Sequence, residues 1–167
     1  MYIYMISIRK AINESDKSLC FKLRAEVFCK EQNVPGETER DEYDDTCIHW
    51  LAFASNGTSK EVPAGVARVV IKATTELSSD NSKEFIGKIG RVAVLPEHRG
   101  QGIAKLIMNA LEEDLIENDP HVTKTFLHAQ QDKKGFYQKI GYYVLDPESS
   151  PFLEENILHV KMAKNIK

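Results

Sequence analysis

The sequence predicts a mixed α/β (α+β) domain in which a central sheet is flanked by helices. Three observations carry that expectation. Segments of strand and helix character are interleaved along the chain, as in folds layered around a sheet. Residues Gly102 to about Asn118 hold the clearest helical period, with Ile103, Ile107, Leu111 and Leu115 at four-residue steps. Just upstream, Val92-Ala93-Val94-Leu95 is a nearly continuous apolar run, expected of a strand buried on both faces.

The other elements follow in order. Residues 3–9 alternate apolar and polar and read as an opening strand. Asn13 or Ser15 caps a helix extending to about Gln32, along which Leu19, Leu23 and Val27 form an apolar face. Val34-Pro35-Gly36 stops it. His49–Ala54 and Val62–Ile71 read as strands joined across Asn56-Gly57, a turn pair that tolerates positive φ. Lys72–Glu84 is polar and rich in Ser, Thr and Asp, and reads as a long, mobile hairpin loop. Phe85–Leu95 is the next strand, Thr123–Ala129 another, and Asp132–Ile140 a short helix ended by Gly141. Tyr142–Leu145 and Ile157–Ala163 are expected as closing antiparallel strands. Without internal repeat, linker or low-complexity tract, residues 1–167 are expected to form a single domain.

Composition narrows the function. Hydrophobic residues make up 42% and charged residues 28%, ordinary for a globular chain. Lys plus Arg number 22 and Asp plus Glu 25, a net charge of −3, so nucleic acid is not an expected partner. No apolar run approaches the ~20 residues of a membrane span, and the first residues lack the basic leader of a signal peptide. Cys20, Cys29 and Cys47 show no metal spacing and point to a reducing, cytoplasmic setting without a metal. Cys29 itself reads as a buried, inert thiol. Glu37–Asp45 carries six carboxylates against Arg40. It reads either as an attractor for a cationic amine or as a solvated loop, with Arg68 and Arg91 on hand to pair with it. Glu112-Glu113-Asp114 reads as the wet face of a helix.

The chemistry is concentrated in Arg91–Ala104, where a strand, a glycine-containing turn and a helix start follow one another. A helix N-terminus presents unpaired N–H groups and the positive end of the dipole, which suit a phosphate. Gly100 and Gly102 remove the Cβ atoms that would hold a pyrophosphate off the backbone. Arg99 can add a charge-assisted bond. The spacing fits neither a Walker loop nor the dinucleotide fingerprint.

Arg99, Gly102 and Ala104 resemble the R-x-x-G-x-A form of the acetyl-coenzyme A signature of the GNAT superfamily of N-acetyltransferases. Gln130 followed by Phe136-Tyr137 and Gly141-Tyr142 is similar to that family's F-Y-x-x-x-G-F segment. Val27-Phe28, Glu31-Gln32, Val34-Pro35, Glu39, Asp41, Asp44 and His49 resemble an N-terminal signature of the ElaA-like branch. Phe152, Glu154, Ile157 and His159 resemble its F-x-E-x-G-I-P-H ending, with Asn156 and Leu158 where that pattern has Gly and Pro.

The resemblance implies a mostly antiparallel sheet of six or seven strands, splayed between Phe85–Leu95 and Thr123–Ala129. It implies an acetyl group passing directly from acetyl-coenzyme A to a primary amine of a small molecule or peptide, through a tetrahedral intermediate. Pantetheine would pair with the backbone about Val92, Ala93 and Val94. The pyrophosphate would rest on Arg99, Gly100, Gln101, Gly102, Ile103 and Ala104, with Gln130 and Tyr137 completing the cofactor site. Tyr137 matches the family tyrosine that protonates or hydrogen-bonds the leaving thiolate.

A lysine-like amine is neutral only about 10⁻³·⁴ of the time at pH 7, a handicap of roughly 4–5 kcal/mol that a base, a water chain or desolvation must offset. The strand before the turn offers Lys88 and Arg91 where many family members have a glutamate. Glu31, Glu39, His49, His128 and His159 remain as bases, and His159, on the branch ending, ranks first. The rival reading is a non-catalytic acyl-coenzyme A binding or sensing module. A third, an interaction protein acting through its acidic loop, needs no cofactor at all. The acceptor is unspecified, and a homodimer stays open.

Overall fold

The computed structural model describes residues 5–55, 57, 60–75, 77 and 82–167. The expected strand positions 3 and 4, and Asn56 of the expected turn, lie outside them. The chain groups into two compact units, residues 1–70 with 91–111 and residues 71–90 with 112–167. Each is described in turn.

Eight strands form one sheet among the described residues, one or two more than the sequence implied: β1 (Met5–Lys10), β2 (Ile48–Ser55), β3 (Val62–Thr74), β4 (Glu84–Val94), β5 (Val122–Gln130), β6 (Tyr143–Val144), β7 (Phe152–Glu154) and β8 (Ile157–Asn165). Pairing runs β1-β2-β3-β4-β5-β8-β6, with β7 on β8. The β4–β5 pair is parallel, while β1–β2, β2–β3, β5–β8, β6–β8 and β7–β8 are antiparallel. β3 runs on through Thr74, so Lys72–Thr74 is strand and not loop. The expected loop's residues 76 and 78–81 lie outside the described residues.

In the first unit, Asn13 starts helix α1 (Glu14–Arg24), its side-chain oxygen accepting from the Asp16 N–H at 2.8 Å. The helix does not continue as α-helix to Gln32. Residues Ala25–Glu31 widen into a π-helix, in which the Gln32 N–H donates to the Val27 carbonyl five residues back. Glu31 is the last residue of this wider segment. Cys20, Leu23 and Val27 pack with Leu51, Phe53, Val66 and Ala93 in one core. The four-residue turn α2 (Gly36–Glu39) follows. Gly65 of β3 is required by close packing: a Cβ there would lie 3.1 Å from the Ala93 carbonyl oxygen and from Ile103 and Ile107. Removing that Cβ lets helix α3 (Ile103–Asn118) sit directly on the sheet.

Val92–Leu95 is not buried on both faces. Ala93 is 5% exposed, while Val92, Val94 and Leu95 are half-buried. The apolar run therefore lies in a strand with one packed face and one partly open face. Ile103, Ile107, Leu111 and Leu115 are all buried, as the four-residue period required.

In the second unit, Glu112 is buried, contrary to its expected place on a wet helix face. It accepts from the Tyr142 hydroxyl at 2.7 Å and from Lys164 at 2.5 Å. Helix α4 (Lys134–Lys139) ends where Gly141 takes φ +97°. The strand β7 went unread because three residues carry too little alternation to register. Glu155 and Asn156, at φ +48° and +61°, turn β7 into β8 as a two-residue hairpin of the type that needs left-handed conformations at both centres. Asn156 meets that need without the glycine of the resembled pattern, because Asn tolerates the left-handed region.

Candidate functional site

In the first unit, β4 delivers the chain into the glycine turn. Arg91 has φ +55°, uncommon for a residue with a side chain. Its guanidinium holds the distortion by donating to the Glu39 carbonyl at 2.9 Å. After the short 3₁₀ turn Pro96–His98, both Gly100 and Gly102 adopt φ +76°, and a Cβ at either would meet nothing within 4 Å. The first α3 bond is from the Leu106 N–H to the Gly102 carbonyl. The N–H groups of Ile103, Ala104 and Lys105 are thus the helix's unpaired first-turn donors, bordered by space that no side chain fills. Two left-handed glycines, a helix N-terminus and an open cradle form a fit receptacle for a pyrophosphate.

Arg99 does not stand free over this cradle. Its Nε donates to the Val94 carbonyl at 2.9 Å, and its two terminal nitrogens form a bidentate pair with Glu31 at 2.9 and 2.6 Å. Glu31 is therefore a partner for the signature arginine, which removes it from the set of unattached bases. Val94 has its carbonyl engaged by the same arginine.

The acidic stretch is divided. Glu37, Glu42 and Asp45 are exposed, while Glu39 and Asp44 are buried and Asp41 half-buried. Asp44 accepts from Arg24 at 2.6 and 2.9 Å, from Arg68 at 2.6 Å and from the Asp41 N–H at 3.1 Å. Glu39 accepts from Arg24 at 2.5 Å, and Asp41 from Arg68 at 2.7 Å. Arg91 lies 3.5 Å from both Glu39 and Asp41. The anticipated pairing with Arg68 and Arg91 holds. The wholly solvated reading and the amine-attracting reading both fail for the three inner carboxylates, because arginines already neutralise them. Burial pushes the Asp44 carboxyl up, but Arg24 and Arg68 outweigh it and hold it well below the usual carboxylate range.

Arg24, fully buried, is the member sequence reasoning missed. Its signal was position: with Cys20, Leu23 and Val27 it falls on the apolar stripe of its helix, where an unpaired charge could not stay.

Asp44, Cys47 and His49 place potential metal-ligating atoms within 4.8 Å of one another, a Cys/His cluster that spacing had not revealed. The chemistry does not suit a cation. Two guanidiniums occupy the Asp44 carboxylate, the His49 Nε2 hydrogen-bonds the Asp44 carbonyl at 3.0 Å, and burial raises the Cys47 thiol to about 11. Burial also lowers His49, so this imidazole stays neutral and structural. Cys29 is half-buried, with its thiol raised by burial, and is free.

In the second unit, Tyr137 of α4 is buried against Phe136 and Tyr142, with ring centroids 5.0 and 5.8 Å away. Burial pushes its hydroxyl up to about 12, so it stays protonated and able to donate. Gln130 and His159 face each other across the β5–β8 ladder. The His159 Nδ1 donates to the Ile157 carbonyl at 2.8 Å, leaving Nε2 as the basic nitrogen. On the same sheet face, His128 Nδ1 lies 2.5 Å from Glu154. A cleft of about 580 Å³ is lined by Phe126, Leu145, Phe152 and Val160 as apolar walls and by Asp146 and Lys161 as charged ones. The structure thus gathers Val92–Val94 and Arg99–Ala104 in one unit, and Gln130, Tyr137 and His159 in the other.

The comparisons agree with one family. Residues 22–166 match the acetyltransferase (GNAT) domain. The Bacillus subtilis (strain 168) protein named "uncharacterized N-acetyltransferase YjcF" is 35% identical over 155 residues, covering 93% of this chain and 96% of that protein. The crystal structure of Escherichia coli ElaA is 25% identical, with a TM-score of 0.74 over 96% of this chain and all of that one. A chain of the NatC complex bound to Gag peptide and CoA shares the fold at 14% identity, with a TM-score of 0.67 over 98% of this chain and 99% of that one.

Proposed function

Because the chain belongs to the GNAT acetyltransferase family, we propose that it moves an acetyl group from acetyl-coenzyme A to a primary amine of a small molecule or peptide. The observation that carries the donor is the pair of left-handed glycines with open space above them at the head of α3. Gly100–Ala104 would hold the pyrophosphate through backbone N–H groups, and the half-buried strand at Val92–Val94 would pair with pantetheine. The CoA of the NatC complex supports the same choice of donor.

In this reading the neutral amine attacks the thioester carbonyl, the C–S bond breaks, and the thiolate must be stabilised. Tyr137 supplies a hydrogen bond to that sulfur. With the tyrosine near 12 and a thiol near 8.5, full proton transfer would run uphill by about 3.5 pK units, so donation without complete transfer is its role. Residues 1–167 act as one transferase domain, in a cytoplasmic setting.

The test is release of free thiol from acetyl-coenzyme A over a panel of amines, with donor binding followed by calorimetry. Amine-dependent release is expected. A second reading rests on Lys88 and Arg91 standing where a base would otherwise be: a module that binds acyl-coenzyme A without turnover. Binding without release for any amine would favour it, and absence of binding would overturn both.

A further inference from the structure

The transferase reading leaves unnamed the group that removes the proton from the acceptor ammonium. Three imidazoles of the chain are candidates by position, and their surroundings separate them. His49 is buried in the arginine–carboxylate cluster and held neutral there. His159 is 8% exposed, with its Nδ1 tied to a main-chain carbonyl two residues away. Of the three, His128 has a carboxylate oxygen at hydrogen-bond distance, whereas His49 stands 4.0 Å from an Asp44 carboxylate that two arginines already occupy. The His128 Nδ1 lies 2.5 Å from Glu154 Oε1, and the His128 side chain keeps 19% exposure.

That arrangement assigns the tautomer. A carboxylate accepts, so Nδ1 carries the proton and Nε2 presents a lone pair. The ring cannot easily swing away. Phe126 and Phe152 contact it edge-on, with centroids 5.2 and 4.9 Å from its own. The same two phenylalanines line a cleft of about 580 Å³, so the imidazole packs against two walls of a space of small-molecule size without itself lining it. A carboxylate that orients an imidazole and stabilises its cationic form is the arrangement of a general base.

We propose that His128, positioned by Glu154, takes the proton from the acceptor ammonium, and that the acceptor's apolar part lies in the adjoining cleft between Phe126, Leu145, Phe152 and Val160. This rests on the transferase reading and names its acceptor class: primary amines bearing an apolar or aromatic body. The balance is simple. One ammonium proton passes to His128 Nε2, the nitrogen lone pair forms the new C–N bond, the C–S bond breaks, and the second amine proton ends on the CoA thiol. His128 then returns its proton to water. Glu154 acts through His128 and is a positioning residue.

The groups facing His128 define the controls. Glu154 lies on β7, His159 and Lys161 on β8, and Lys88 on β4, with His128, His159 and Lys88 all acting to lower the Glu154 carboxyl.

The experiment compares wild type with His128→Gln, Glu154→Ala and His159→Gln on a panel spanning apolar arylalkylamines, polyamines and an aniline that is already neutral at pH 7. For arylalkylamines, His128→Gln is expected to lower kcat/KM by about 10²–10⁴-fold at pH 7. The deficit should shrink as pH rises towards the amine pKa, and should nearly vanish for the aniline. A merely structural histidine would produce an equal deficit at every pH and for every amine. Glu154→Ala should give the same pattern with a smaller loss, and His159→Gln should not. Long-range proton–nitrogen spectra of His128 should show an Nδ1–H tautomer in the wild type, a readout independent of activity and of whether a variant folds. An Nε2–H tautomer, a pH-independent deficit, or faster turnover of polyamines than of arylalkylamines overturns the proposal while the transferase reading stands. A wild type that acetylates nothing overturns both.

Discussion

Replacing Asp44 by Asn is the sharpest test of how the acidic stretch is held. In the buried cluster three guanidiniums, Arg24, Arg68 and Arg91, face three carboxylates, Glu39, Asp41 and Asp44, so its formal charge is zero. Asp44 is 2% exposed and accepts from both Arg24 and Arg68 and from one main-chain N–H. Asn removes the charge and turns an –NH₂ towards donors, leaving one positive charge uncompensated in the interior. Breaking one member of such a buried set costs about 3–5 kcal/mol, far more than the ~0.2–1 kcal/mol of an exposed pair. For a domain of this size that is a fall of roughly 6–20 °C in melting temperature. Urea unfolding followed by circular dichroism at pH 7 provides the measurement. Lys30→Ala, which removes the exposed Glu26–Lys30 pair at 2.5 Å, is the reference and should cost under about 0.5 kcal/mol. Adding Arg68→Gln to the Asp44 variant restores neutrality and should recover at least about 1 kcal/mol. An Asp44→Asn loss no larger than the Lys30→Ala loss would refute the account of this cluster as a buried, mutually dependent set.

Other outcomes follow from the same geometry. Gly102→Asp should abolish detectable acetyl-coenzyme A binding in calorimetry, because it sets a carboxylate in the anion cradle, while the strained φ of +76° costs only about 1 kcal/mol of stability; retained affinity would disprove the phosphate assignment. Tyr137→Phe should lower kcat about 10- to 100-fold and leave donor affinity near normal, since the hydroxyl donates only once the thiolate develops; single-turnover kinetics would decide. Glu31→Gln should weaken the hold on Arg99 and tighten donor binding a few-fold at low salt, an effect that 0.5 M salt should remove and that titration calorimetry can follow. Stability should decline with acid in two stages. His49, held neutral when folded, contributes stability that is lost as pH falls below its unfolded value near 6.5. Asp41 and Asp44, held low when folded, contribute stability that is complete above about pH 4 and lost as pH falls below it. A urea-midpoint profile flat down to pH 4 would contradict the first stage.

Local regularities were legible in the sequence because they depend on neighbours along the chain. The α3 period, the Asn13 cap, the Gly141 stop and the two glycines before α3 are properties of single turns of backbone, and each appears where the spacing put it. The family resemblance was legible for the same reason, since each of its motifs is a short stretch of chain. What the tertiary structure decided are relations between residues far apart in sequence. The acidity of Glu37–Asp45 was visible, but Arg24, Arg68 and Arg91 come from three other elements, so no local pattern could say which carboxylates are neutralised. Glu112 looked solvated until Tyr142 and Lys164, 30 and 52 residues away, enclosed it. His128 and Glu154, 26 residues apart, meet because β5 and β7 flank β8. Sequence by itself carried the fold class and the glycine turn at the head of α3, which short-range geometry controls. Which charges are buried, and which imidazole is aimed, waited on sheet pairing, because long-range burial determines the state of an ionisable group.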